Sequence, residues 1–237
     1  MAQSKNAKRI ASEVDKEKMY PPADAVGLVR RLAFAKFDES IDAAFNLGID
    51  ARQADQLVRG TVSLPHGTGK SIRIAVFADG EKIKEAEEAG ADIVGGKELA
   101  DQLSGGGAIE FDLAIATPDM MPVVGKLGPV LGPRGLMPNP KSGTVTQDVA
   151  KTVAEFKAGK VEYRNDRYGN VHVPIGRVSF EADQILENLA AVSDEILRAK
   201  PAAAKGRYVK KVAIASTMGP GIKLDPGDIE DLVKSLH

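Results

Sequence analysis

The chain has 237 residues, 32 basic against 33 acidic side chains, 43% hydrophobic residues and no cysteine. That is enough to bury a core without staples, in one large domain or two modest ones. It excludes a disulfide framework and a thiolate metal site, and His66, His172 and His237 are too scattered in sequence to suggest structural zinc.

A helix is expected over 23–35, with Asp24 as a cap and Val26, Val29, Leu32 and Ala33 at helical spacing. A strand follows with strict alternation: Ile41, Ala43, Phe45, Leu47 and Ile49 face one way, Asp42, Asn46 and Asp50 the other. That pattern marks a sheet with one covered and one wet face. A second strand over 57–64 stops at Leu64-Pro65-His66-Gly67. Then the style changes. Ile72–Phe77 and Phe111–Thr117 are apolar runs like strands buried on both faces, and Asp92-Ile93-Val94 is a shorter one. Helices over 80–89, 97–103 and 146–158 alternate with them, as in a parallel, Rossmann-like sheet.

After Gly159 the first style returns. Strands Lys160–Arg164 and Val171–Phe180 flank the turn 165–170, a helix covers 181–199, and Tyr208–Thr217 alternates before Gly219-Pro220-Gly221 turns the chain into Ile222–Leu224. The expectation is an α+β discontinuous domain, residues 1–67 plus 160–237, with a Rossmann-like three-layer α/β domain, 68–159, inserted. A plain tandem arrangement is the alternative.

No signal peptide opens the sequence, and no run nears the ~18 apolar residues of a membrane helix, so a cytoplasmic location off any membrane is expected. A net charge of −1 argues mildly against a nucleic-acid ligand. Its distribution does not. Leaving out 225–237, the two outer segments hold 21 basic and 16 acidic side chains, while 68–159 holds 10 and 13. Binding depends on the local field.

Catalytic signals are thin. Gly67-Thr68-Gly69-Lys70-Ser71 resembles half a phosphate-binding loop, but Leu64 stands where the first glycine belongs and a strand, not a helix, follows. No Gly-x-Gly-x-x-Gly opens the helix after Ile72–Phe77. Neither a cofactor nor a metal is expected, and no catalytic residue is assigned. A nucleotide-dependent α/β enzyme using the inserted domain is the rival reading.

Three further stretches each carry an RNA reading beside a purely structural one. The glycine- and proline-rich segment 128–144 permits close backbone approach and carries Arg134 and Lys141 for phosphates; a rigid cover for the inserted domain is the other reading. Ser216-Thr217-Met218-Gly219 offers hydroxyls and a glycine to a ribose–phosphate backbone, or is an ordinary strand-end turn. Lys36-Phe37-Asp38-Glu39-Ser40 offers an aromatic and a cation, or a core phenylalanine at a helix end.

Taken together with Val58–Gly67, Gly80–Asp92 and Glu162–Asp166, these stretches resemble, in order and over nearly the whole chain, the bacterial form of the large-subunit ribosomal protein L-one family. The segment 128–144 is the most specific part. The resemblance implies a non-enzymatic constituent of the large ribosomal subunit with two domains, the first built from both chain ends. That domain would bind large-subunit rRNA and form the mobile stalk near the tRNA exit site. The protein would assist release of deacylated exit-site tRNA and repress translation of its own operon messenger. It would be a monomer when free of the ribosome. The family's RNA-contacting positions carry over to Lys36, Phe37, Ser40, Arg164, Arg167, His172, Ser216, Thr217, Met218 and Gly219, with Arg134 and Lys141 as secondary contacts. Ser40 keeps the hydroxyl of the threonine frequent there. The acidic tail 228–237 has no role implied.

Overall fold

The structure, a computed structural model, describes residues 5–15 and 17–234. In chain order it forms α1 (Lys5–Glu13), α2 (Pro22–Leu32), β1 (Ser40–Leu47), β2 (Arg59–Ser63), β3 (Ile74–Phe77), α3 (Glu81–Glu88), β4 (Ile93–Gly95), α4 (Lys97–Ser104), β5 (Leu113–Ala116), the single turns α5 (Met121–Val124) and α6 (Gly128–Leu131), α7 (Val149–Ala158), β6 (Lys160–Arg164), β7 (Asn170–Arg177), α8 (Ala182–Arg198), β8 (Val209–Ser216), β9 (Ile222–Leu224) and α9 (Pro226–Lys234). These elements fall into two compact units, Met1–Gly69 with Val161–His237, and Lys70–Lys160.

The outer unit holds a four-stranded antiparallel sheet in the order β7-β1-β8-β9, and β2 pairs with β6. Alternation puts Ile41, Ala43, Phe45 and Leu47 of β1 on the covered face with Val171, Val173 and Ile175 of β7 and Val212 and Ile214 of β8. Val26, Val29 and Leu32 of α2 and Ile185, Leu189, Val192 and Ile196 of α8 close over them, each at helical spacing. Gln184 of α8 accepts the Glu181 N–H at 3.1 Å, capping that helix. Pro174 sits on the edge strand β7, where its missing N–H costs no ladder bond. A bulge beside it pairs Ile41 with Gly176 but Asp42 with Pro174, leaving Ile175 without a partner on β1.

The inserted unit holds a three-stranded parallel sheet, β4-β3-β5. Both faces are covered, which is why its strands read as unbroken apolar runs. Ala75, Phe77, Ala114 and Ala116 pack with Ala100 and Leu103 of α4 and with Met120, Val124, Leu127 and Leu131. Ile74, Val76 and Ile115 pack with Ala86 of α3 and Val149, Val153 and Phe156 of α7.

Several boundaries differ from expectation. The helix expected over 23–35 ends at Leu32, because Ala33 turns to φ −60°, ψ 133°; Asp24 lies in its first turn, and Pro21, not Asp24, takes the cap position. The helix expected over 146–158 starts only after Asp148, whose side chain accepts the Lys151 N–H. The strand expected to run to Phe180 stops at Arg177. Four helices lie outside the expectation: α1, α9 and the single turns α5 and α6. The acidic tail is largely α9, which buries Ile229 and Val233; residues 235–237, and with them His237, lie outside the described residues.

Candidate nucleic-acid interface

Carried back one step from Ile41, the inward side of β1 takes Glu39, which is 1% exposed. Its Oε1 accepts the N–H groups of Phe34 (3.0 Å) and Ala35 (2.9 Å), and its Oε2 accepts the N–H of Met218 (2.9 Å). One carboxylate therefore ties the loop after α2 to the turn after β8, about 180 positions apart in sequence. Burial pushes this carboxyl up, but the N–H groups of Met218, Ala35 and Phe34 prevail and hold it below the ordinary glutamate value. The Ser216 hydroxyl acts in the same direction, although its buried oxygen completes no hydrogen bond of good geometry.

A second strap joins the same segments. Thr217 N–H donates to Ser40 O at 3.0 Å, and Thr217 Oγ1 accepts the Ser40 N–H at 3.1 Å. From the other side, Asp38 accepts the backbone N–H (3.1 Å) and hydroxyl (2.8 Å) of Ser179, and Arg177 Nη1 donates to Asp38 O at 3.1 Å. So fixed, the loop and turn leave Phe37 57% and Met218 54% exposed, beside exposed Lys36. Gly219 is tight: a Cβ there would fall 2.3 Å from Ser216 Oγ.

Of the positions implied by the resemblance, Lys36, Phe37, Ser40, Ser216, Thr217, Met218 and Gly219 thus meet at one end of the sheet. Ser216 is buried, so the hydroxyl on offer there is that of Thr217. Arg164 and Arg167 stand at the other end of β1, roughly 24 Å away at ~3.4 Å per strand residue. There Leu47 N–H donates to Gly169 O at 2.8 Å and so seats the β6–β7 turn against the end of β1. Between the two ends runs the wet face. His172 is exposed on it, opposite Ala44, which is opposite Ala213, which is opposite Lys223. The neighbouring rows are Asn170–Asn46–Lys211 and Pro174–Asp42–Ala215. Alanines at its centre keep this face shallow. Partial desolvation by the strands pushes the Asp42 carboxyl above its ordinary value, against the pull of His172.

The segment 128–144 is internally braced. Asn139 N–H donates to Thr144 Oγ1 (2.8 Å), Lys141 N–H donates to Asn139 Oδ1 (2.8 Å), and Ser142 and Thr144 are buried. Leu127 and Leu131 anchor it in the core, so Arg134 and Lys141 stand exposed on a firm frame. Gly67–Ser71 leads towards β3 rather than a helix, and Lys70 Nζ bonds Asp112 at 2.8 Å, which holds that carboxyl below its ordinary value. A lysine so engaged, with no helix N-terminus ahead of it, is not arranged to cradle phosphates.

Sequence reasoning passed over Glu39, Asp38 and Asp166. Only Glu39 left a clear trace, in the parity of β1. Asp166 organises the β6–β7 turn: its Oδ1 accepts the N–H groups of Tyr168 and Asn170, both at 2.8 Å. Burial raises its carboxyl, but the Asn170 and Tyr168 donors and the nearby His172 hold it below the ordinary aspartate value.

Among the described residues, the outer unit thus carries a polar, partly basic face whose ends are fixed by backbone and carboxylate straps. The family model "Ribosomal protein L1p/L10e family" matches residues 29–220, and the chain belongs to that family of structural, non-enzymatic ribosomal proteins. It is 58% identical over 215 residues to the protein named large ribosomal subunit protein uL1 of Rubrobacter xylanophilus, covering 91% of this chain and 94% of that one. Proteins of the same name from Thermobifida fusca (52% over 235 residues, 99% and 100% covered) and Kitasatospora aureofaciens (55% over 234, 98% and 97%) are similar along almost their full lengths.

Proposed function

We propose that this protein is a constituent of the large ribosomal subunit whose outer unit, residues 1–67 with 160–237, binds folded large-subunit rRNA. Lys36, Phe37, Ser40, Thr217, Met218 and Gly219 form the primary contact, Ser216 supports it from beneath, and Arg164, Arg167 and His172 extend it along the wet face. The observation that carries the reading is the Glu39 carboxylate, which converges two distant segments and presents Phe37 and Met218 to solvent. Folded RNA is then met by shape, 2′-OH groups and phosphates, not by reading a duplex sequence. The inserted unit, 68–159, serves as a Rossmann-like scaffold without a cofactor, and its Arg134 and Lys141 make secondary RNA contacts. In the cell the protein sits on the cytoplasmic ribosome, in the mobile stalk beside the exit site, and helps release deacylated tRNA. Free of the ribosome it is a monomer that binds a similar structure on its own messenger and represses translation.

Filter binding to a stalk rRNA fragment across a salt series tests the reading. The logarithm of the affinity should fall linearly with the logarithm of salt concentration, and replacing Arg164 and Arg167 together with alanine should reduce that slope by about 2. A salt-independent or absent interaction would remove RNA from the assignment. Thr217→Val, which deletes both the hydroxyl and its bond to Ser40, should weaken binding by about 1–3 kcal/mol. Unchanged affinity at fixed salt, with the circular dichroism of the parent, would take Thr217 out of the contact.

A further inference from the structure

The turn at the far end of the sheet carries an aromatic side chain that the interface above leaves unused. The chain has four tyrosines and no tryptophan. Tyr20, Tyr163 and Tyr208 are buried, whereas Tyr168 is 76% exposed, more than any other large apolar side chain among the described residues. A tyrosine on a loose loop would carry no argument, because ordering the loop would oppose any contact it made. This turn is already ordered. Asp166 Oδ1 accepts the N–H of Tyr168 itself and that of Asn170, and Asp166 Oδ2 accepts Asn170 Nδ2 at 3.0 Å. Asn165, buried, accepts the Val58 N–H at 2.8 Å and donates Nδ2 to Asp166 O at 2.8 Å. Gly169, at φ +78°, sits so close to Leu47 O that a Cβ would reach 3.0 Å from it. The turn is thus fixed from both flanks, and the only freedom left at Tyr168 is two side-chain torsions. Arg164, at the end of β6, and Arg167, next to Tyr168, are both exposed, and neither guanidinium makes a hydrogen bond or ion pair among the described residues, so neither need leave a protein partner to meet a phosphate.

We infer that Tyr168 is a stacking subsite for an unpaired base, with Arg164 and Arg167 taking the phosphates beside that base. The inference rests on the proposed RNA reading and deepens it: the RNA is gripped at both ends of β1, by Phe37 and Met218 at one and by Tyr168 at the other. An exposed π-face on an ordered turn, with planar cations at the end of β6 and on the turn itself, suits a splayed-out nucleotide better than a paired one. Stacking releases no counterions, so its removal lowers affinity without altering the salt dependence, whereas loss of either arginine lowers the slope.

The missing tryptophan supplies the experiment. Tyr168→Trp places the chain's only indole at the tip of the turn. Titration with the stalk rRNA fragment should quench its fluorescence and leave the affinity within about threefold of the parent, since indole stacks at least as well as phenol. Tyr168→Ala should weaken binding about tenfold at every salt concentration with an unchanged slope, Tyr168→Phe should restore it, and Tyr168→Leu should not. The side chain is exposed and the variants keep the backbone N–H that Asp166 holds, so their thermal unfolding should match the parent. Tyr168→Ala binding within twofold of the parent, with no quenching of Tyr168→Trp in a titration where filter binding shows the complex, overturns the subsite and leaves the RNA reading standing. An affinity loss that Leu repairs as well as Phe overturns stacking in favour of simple apolar contact. Failure of the parent itself to bind the fragment overturns both.

Discussion

Glu39→Ala is expected to cost about 2–4 kcal/mol of stability at neutral pH, the scale of stranding several N–H donors that had an ionised acceptor. The three N–H groups concerned belong to Phe34, Ala35 and Met218, which have no other acceptor among the described residues. RNA affinity should fall by more than tenfold even at temperatures where the variant stays folded, because Phe37 and Met218 lose the group that holds their segments together. Glu39→Gln is the finer probe. Its amide oxygen can keep Phe34 and Ala35, but its NH2 then faces the Met218 N–H, so the turn after β8 should loosen first. The pH dependence has a definite sign. The folded-state pKa is depressed below the ordinary 4.5, so this stabilisation is complete above that value and is lost as pH falls through the folded pKa. Urea unfolding of the parent should therefore weaken on acidification in that window, and the alanine variant should weaken less. Parallel pH profiles for the two would show that the carboxylate is not the tie.

Much of the fold is legible because single-residue periodicity carries it. The alternation Ile41–Phe45 and its partner Val171–Ile175 are inward-facing in the structure, and the apolar runs 74–77 and 113–116 are covered on both faces. What the sequence hides is governed by other balances. The helix begun at Pro22 has residues beyond Leu32 with good helical spacing, yet it stops because Glu39 claims the next N–H groups. α1 buries no residue fully, so no stripe announces it. α9 begins Pro226-Gly227, a pair that reads as a break; proline in a first helical turn is in fact a common start. The interface is the least legible part. Ser40 and Thr217 meet only because β1 pairs with β8, and nothing local to either residue reveals that register. Without the resemblance, Phe37 is a plausible core residue; the structure shows it more than half exposed.

Asn188→Leu should destabilise the outer unit by about 3–5 kcal/mol, despite adding apolar volume at a fully buried site, because it strands polar groups rather than removing them. Asn188 lies in mid-helix on α8, where an amide contributes nothing to the apolar stripe. Its Nδ2 donates to Ile175 O at 2.8 Å and to Gly67 O at 3.0 Å, while Oδ1 accepts the His66 N–H at 3.1 Å. The first of these follows from the bulge: Ile175 has no partner across on β1, so its carbonyl must be satisfied from the helix layer. The other two secure the chain just before it leaves the outer unit at Gly69. Asn188→Asp separates hydrogen bonding from shape. A carboxylate facing two carbonyl oxygens should be worse than leucine at neutral pH, and its folded-state pKa should be raised. Its stability should then recover as pH falls through that value, opposite in sign to the Glu39 effect, because the protonated acid can donate once. Chemical denaturation at two pH values reads this directly, and an aspartate variant no weaker than leucine at neutral pH would show that the amide is not the donor to both carbonyls. RNA binding distinguishes the two buried groups. Losing Asn188 acts through global stability, so binding should return in full when the variant is stabilised by cooling or osmolyte. Losing Glu39 disorders the contact surface itself, and the same treatment should restore the fold without restoring the affinity.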